Sequence, residues 1–379
     1  MKRTLLLALC LALLPFGWVQ GKGKRLKAPE KITLRMVDPD ATPETKALYA
    51  NLWCIGFDGV LFGHHDYPSY GVGWKGDKDR SDVKDITGSH PAVYSLDMAG
   101  INDTKIQHIR EAYKRGGVCM LVWHQNNPLT EGPGKKYPVG TAWDNTKVVD
   151  QILQEGSPMN LKYKARLDQV AEAFRKMVDE KGRPIPVIFR PLHEHTQTWN
   201  WWGRSATTDE EFIAFWRFIV SYLRDTKGIH NVIYAISPQM DAVYKDTEER
   251  LLFRWPGDEW VDFLGMDCYH GRNRAAFESN VKAIVGLSAK LGKPVGVTET
   301  GLENNHTSDY WTHDVLPALK GRHCSMVVAW RNESTRHAFG PYPSDASAAD
   351  FKLFFQDPWT LFEQDLPDMY TMPRNVTVK

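Results

Sequence analysis

Eight short apolar runs, separated by segments of helical period, constrain this 379-residue chain more than any other feature. They are Gly59–Phe62, Ala92–Leu96, Val118–Trp123, Val187–Phe189, Asn231–Ile236, Phe263–Asp267, Val295–Val297 and Met326–Trp330. Most lack polar alternation, so each strand must be covered on both faces, as parallel strands under helices are. Apolar residues recur at helical spacing over Thr104–Arg115, Leu161–Glu180, Asp209–Arg224, Ala275–Leu291 and Asp309–Leu319, with Thr208 placed to cap the third. This alternation predicts an α/β fold, a single (β/α)8 TIM barrel with its active site at the C-terminal face of the parallel strands. No Pro/Gly/Ser-rich linker divides the chain, so one catalytic domain is expected over residues 22–379.

Residues 1–21 read as a signal peptide. Lys2-Arg3 supplies the positive start, Leu5–Val19 is apolar but short for a bilayer span, and Val19-Gln20-Gly21 precedes the expected cleavage point. Export to the periplasm or the medium follows. Leu9 before Cys10 stands where a lipid-attachment motif has a small residue, which disfavours an anchor. A net charge of +1 argues against nucleic acid or an anionic membrane as partner. Fourteen tryptophans instead favour a neutral, ring-shaped ligand. No membrane insertion is expected, and a monomer is. Cys54, Cys119, Cys268 and Cys324 sit mostly in or beside apolar runs, as buried thiols do; one disulfide remains open, and no CxxC pair suggests zinc.

Polar residues cluster at the ends of the runs. His64, His65 and Asp66 follow the first, His124 the third, His193 and Glu194 the fourth. Asp267, Tyr269 and His270 end the sixth, Glu299 the seventh, and Trp330-Arg331-Asn332 the eighth. A barrel brings all of these to one mouth. Arg190-Pro191-Leu192-His193-Glu194-His195 and the following Trp199, Trp201 and Trp202 put an acid beside indole faces on which pyranose rings stack. A second glutamate at the opposite strand end completes the pair that glycoside cleavage needs. The segment Asn126–Met159 follows the third run and should overlie the mouth, with Trp143 as its sugar contact.

Phe62-Gly63-His64-His65-Asp66, Trp123-His124, Arg190 to Glu194, Trp199, Asp267-Cys268-Tyr269, Thr298-Glu299-Thr300-Gly301 and Trp330-Arg331-Asn332 together resemble glycoside hydrolase family 26, the β-mannanase family. His193, where most of the wider clan has Asn, points to this family. The resemblance implies a retaining β-mannanase acting on mannan, galactomannan or glucomannan, with Glu194 as acid/base, Glu299 as nucleophile and no metal or other cofactor. Arg190 and Tyr269 are expected to support Glu299. His65, His124, Trp143, His193, Trp199, Asp267, Tyr269, Trp330 and Arg331 are expected to meet sugar, with Trp330 and Arg331 as platform and clamp on the non-reducing side. Family members with β-1,3-1,4-glucanase or β-xylanase activity keep those substrates open. Two other readings are a non-catalytic lectin, which needs no opposed glutamates, and a metal-dependent hydrolase using His64, His65, Asp66, His193 and His195.

Overall fold

The structure, a computed structural model, describes residues 25–304 and 307–379. The leader read at residues 1–21, with Cys10, lies outside the described residues. Eight parallel strands close into a barrel: β1 Val60–His65, β2 Val93–Asp97, β3 Val118–Val122, β4 Val187–Arg190, β5 Val232–Ile236, β6 Phe263–Asp267, β7 Val295–Thr300 and β8 Met326–Ala329. Closure comes from β8 pairing with β1, Met326 opposite Leu61 through Ala329 opposite His64. All eight runs are strands, but four reach further than their apolar stretches. β1 includes His64 and His65, β2 Asp97, β4 Arg190 and β7 Glu299, so polar and charged side chains stand on the strands themselves.

Strand side chains alternate in direction, and the two directions meet different surroundings. Phe62, Tyr94, Leu121, Phe189, Tyr234, Leu264, Val297 and Val327 pack outward against helices. Leu61, Val93, Met120, Ile188, Ile233, Phe263 and Met326 pack against one another inside the barrel. That inner cluster also holds Ile32, Leu34 and Val376, from terminal strands Ile32–Leu34 and Val376–Val378, which pair with each other and seal the N-terminal end. Higher in the barrel the inward positions turn polar: two residues beyond Ile188 stands Arg190, and four beyond Phe263 stands Asp267.

The principal helices are α1 Pro43–Ile55, α2 Asp103–Lys114, α3 Pro158–Lys176, α4 Asp209–Ser221, α5 Arg274–Leu291 and α6 Ala348–Gln356. Thr208 caps α4 reciprocally with Glu211, each side chain meeting the other's backbone N–H. The helix expected over Leu161–Glu180 instead begins at Pro158, under a Ser157 cap, and stops at Lys176. The one expected over Asp309–Leu319 is a wide π-type turn, Tyr310–Val315, before a short helix. Helix α1 escaped the sequence reading because nine of its thirteen residues are buried, which erases the polar face a period needs. All four described cysteines are free thiols.

Gly63 lets the barrel close tightly. A Cβ there would stand 2.8 Å from Val93 Cβ and 2.8 Å from Val328 Cγ2. Gly63→Val is expected to lower stability by about 1–3 kcal/mol through overpacking. Thermal unfolding measures this, and a variant as stable as wild type would show that the closure has slack.

Candidate active site

The ends of β4, β6 and β7 converge on one buried cation. Arg190, from β4, donates to Asp267 Oδ1 at 2.5 Å, to Ser237 Oγ at 2.8 Å, and through its other terminal nitrogen to Glu299 Oε1. Thr298 Oγ1 donates to the same Asp267 oxygen at 2.7 Å. Gly265 leaves room for that hydroxyl, since a Cβ there would meet it at 2.6 Å. Tyr269 O–H donates to Glu299 Oε2 at 2.8 Å. Both oxygens of Glu299 thus receive a hydrogen, an arrangement suited to an acceptor-only carboxylate.

Glu194 faces this group from the loop after β4. Its backbone adopts the left-handed conformation, φ 55°, while its N–H donates to Ser237 O at 2.7 Å. A non-glycine residue held there stores strain of about 1–3 kcal/mol, a feature common at functional sites. The turn sends Glu194 to the mouth while His193 and His195 on either side are buried. One ligand-type oxygen from each of Glu194, Asp267 and Glu299 lies within 4.8 Å of the others.

These carboxyls do not share the cation equally. Burial, then the charges of Glu299 and Asp267, push the Glu194 pKa well above the usual carboxylate range; its direct donor is the neutral Trp199 indole at 3.1 Å. Burial also raises Asp267, to about 8, against the pull of Arg190. Tyr269 is raised well above its ordinary value by burial and by Glu299, so it remains a hydrogen donor.

A second network borders the first. His124 Nδ1 meets Asp97 Oδ2 at 3.0 Å, and His124 Nε2 meets His193 Nε2 at 3.1 Å. Burial works against charging His124, but Asp97 outweighs it and raises the pKa. Burial and the neighbouring positive groups hold His193 well below its usual value. His193 was expected to meet sugar; within the chain its ring hydrogen-bond partner is His124. His65 stacks on Trp330 with centroids 4.0 Å apart, and His124 stacks with Trp143 at 5.4 Å. Trp143 is exposed, so it belongs to the mouth rather than the core. Arg331 lies at the outer edge, its Nε 3.3 Å from His337 Nε2.

Some histidines singled out by position serve packing. His195 bonds Phe253 O and stacks on Phe212. His270 stacks on Phe277, and His64 lies buried under Gly340. The set weighed for metal binding therefore does not assemble. Among the described residues the ligand-like cluster is Glu194, Asp267 and Glu299, and the Arg190 guanidinium already stands in its cationic place. Asp97 and Ser237 are not among the residues singled out from the sequence, yet both directly follow an apolar run, the second and the fifth, so the rule of strand-end polar residues applied to every run finds them.

A model of glycosyl hydrolase family 26 matches residues 37–364, and the chain belongs to that family. It is 31% identical over 293 residues to a mannan endo-1,4-beta-mannosidase of Bifidobacterium adolescentis, covering 71% of this chain but only 28% of that much longer one. A Bacillus subtilis enzyme of the same name is 27% identical over 358 residues, 88% of this chain and 90% of that one. Among solved structures, the Bacteroides ovatus GH26 beta-mannanase BoMan26A superposes with a TM-score of 0.81 at 37% identity, over 88% of this chain and 98% of that one. The modular endo-beta-1,4-mannanase of Cellulomonas fimi gives 0.80 at 30%, over 91% and 81%. The chain is a glycoside hydrolase built on the (β/α)8 barrel.

The raised pKa of Glu194 has a thermodynamic consequence. Above about pH 4.3, where a free glutamate ionises, and up to its higher folded pKa, the folded chain holds a proton that the unfolded chain has released. Wild-type stability from this group is therefore lost as pH rises through that window. Glu194→Gln lacks the proton, so its melting temperature relative to wild type should climb with pH, by roughly 2 °C per unit. A difference that stays flat from pH 4 to 8 would contradict the proton-holding state.

Proposed function

We propose that this chain is a retaining β-mannanase that hydrolyses β-1,4-mannosidic bonds in mannan, galactomannan or glucomannan by double displacement. The observation that carries the reading is the convergence of Glu194 and Glu299 within 4.8 Å across the barrel mouth. Retaining enzymes hold their two carboxyls about 5 Å apart, whereas inverting ones leave room for a water between them. The names of the relatives support mannan as the substrate. The leader at residues 1–21 supports action in the periplasm or the medium.

Each group then has a task. Glu299 attacks the anomeric carbon as Glu194 gives its proton to the departing glycosidic oxygen, forming a glycosyl-enzyme. Glu194, now ionised, takes a proton from water as that water attacks the same carbon and releases Glu299. Arg190 and the Tyr269 hydroxyl hold Glu299 at the attacking angle without any reorganisation during the reaction. Trp199 orients Glu194. The stacked pairs His65–Trp330 and His124–Trp143 offer apolar faces to the sugar rings on either side.

Two mutants separate the glutamates. Glu299→Ala is expected to be inactive on every substrate. Glu194→Ala should lose polymer hydrolysis but retain the first step on aryl glycosides whose leaving group needs little protonation. Equal losses for both mutants on both substrates would refute the assignment.

Arg331 tests the substrate class. Its guanidinium is half-buried at the end of β8 beside the Trp330 platform. Removing a charged donor used in the transition state should cost about 1.5–4 kcal/mol in kcat/KM on mannooligosaccharides. Arg331→Ala with unchanged kinetics, or wild-type enzyme faster on mixed-linkage glucan than on mannan, would overturn the reading.

A further inference from the structure

Four rings contact one another in succession, beginning at Trp330 beside the barrel mouth. Trp330 and His124 are 5.7 Å apart between centroids, His124 and Trp143 5.4 Å, and Trp143 and Tyr137 6.1 Å. Each spacing is that of an aromatic contact, so the series is unbroken. The first three rings border the site already described. Tyr137 lies outside it and serves nothing in the core: it is 74% exposed. Leu129, Val139 and Trp143 on the same segment are also exposed, so four of the seven exposed large hydrophobic side chains among the described residues stand within residues 129–143. A concentration of that kind marks a contact surface.

The segment is pinned. The buried Asp144 carboxylate accepts from Gly140 N at 2.8 Å, Thr146 N at 3.0 Å, Thr146 Oγ1 at 2.7 Å and the Thr130 hydroxyl. Arg166 ties the start of the segment by donating to Asn126 O and Glu131. Gly140, at φ 80°, lets the backbone pass against Glu131, whose Cα would lie 2.9 Å from a Cβ there. A ring carried on such a base is presented to solvent with little backbone freedom left to lose on binding.

We propose that Tyr137 is the stacking residue of a distal subsite, receiving a neutral pyranose unit of the substrate chain beyond the sugar that meets His124 and Trp143. The inference rests on the reading of the mouth as a mannan cleft. It places the outer limit of that cleft at the 129–143 segment. Chain length then becomes a determinant of binding: oligosaccharides long enough to reach Tyr137 gain its contact, and shorter ones do not.

The test compares Tyr137→Ala and Tyr137→Phe with wild type on mannotriose through mannohexaose, with melting temperatures measured in parallel. For Tyr137→Ala the loss in kcat/KM should grow with length, from less than about 2-fold on the trisaccharide to about 3- to 10-fold on the hexasaccharide, carried by KM. Tyr137→Phe, which keeps the ring, should restore the hexasaccharide value. A loss equal at all lengths, an unchanged hexasaccharide value for Tyr137→Ala, or a failure of Tyr137→Phe to rescue it would overturn the subsite while leaving the mannanase reading intact. Wild-type enzyme inert on the whole series would overturn both.

Discussion

A fully buried guanidinium, Arg190, holds this active site together. It joins the end of β4 to the ends of β6 and β7 through Asp267 and Glu299, and no water is needed to satisfy either carboxylate. Burying such charges is unfavourable unless they are paired and hydrogen-bonded; here Ser237, Thr298 and Tyr269 supply the additional bonds. The pairing also sets the protonation pattern. Three carboxyls crowd one cation, and the two in contact with it leave Glu194 as the group with only a neutral donor. Burial and the two neighbouring charges accordingly push the Glu194 carboxyl well above the usual range.

The second constraint is backbone geometry. Glu194 points to the mouth because its φ is positive, which turns the chain so that His193 and His195 are buried in its place. The strain is tolerated because the surroundings fix both ends of the turn: Trp202 donates to His193 O at 2.7 Å, and His195 is clamped between Phe253 O and Phe212. His193 and His195, singled out by position, thus brace the turn that presents Glu194 to the mouth. The same division recurs after β6, where Asp267 and Tyr269 enter the site and His270 packs against Phe277.

Much of this was legible in the chain because parallel strands covered on both faces leave uninterrupted apolar runs, and each run's end identifies the rim of the barrel. Isolated strand-end polar residues and segments without a local period were less legible in this way. Asp97 and Ser237 obey the strand-end rule, but each is a single polar residue after its run, without the clustered polar neighbours that mark most of the other run ends. Helix α1 is buried nearly all round and has no polar face to mark it. Tyr137 sits in a segment without period, and its exposure is a property of the folded loop around Asp144.

What the sequence by itself determined is the strand–helix alternation, hence the barrel, together with which strand ends bear Glu194, Glu299 and Arg190, because hydrophobic patterning and turn chemistry are local in the chain. Only the tertiary structure decided how far apart the two glutamates stand, which of them is bonded to the cation, and which histidines face the mouth rather than the core. Those are distances between residues about a hundred positions apart, set by barrel closure and by the desolvation that closure imposes, and no local pattern encodes them.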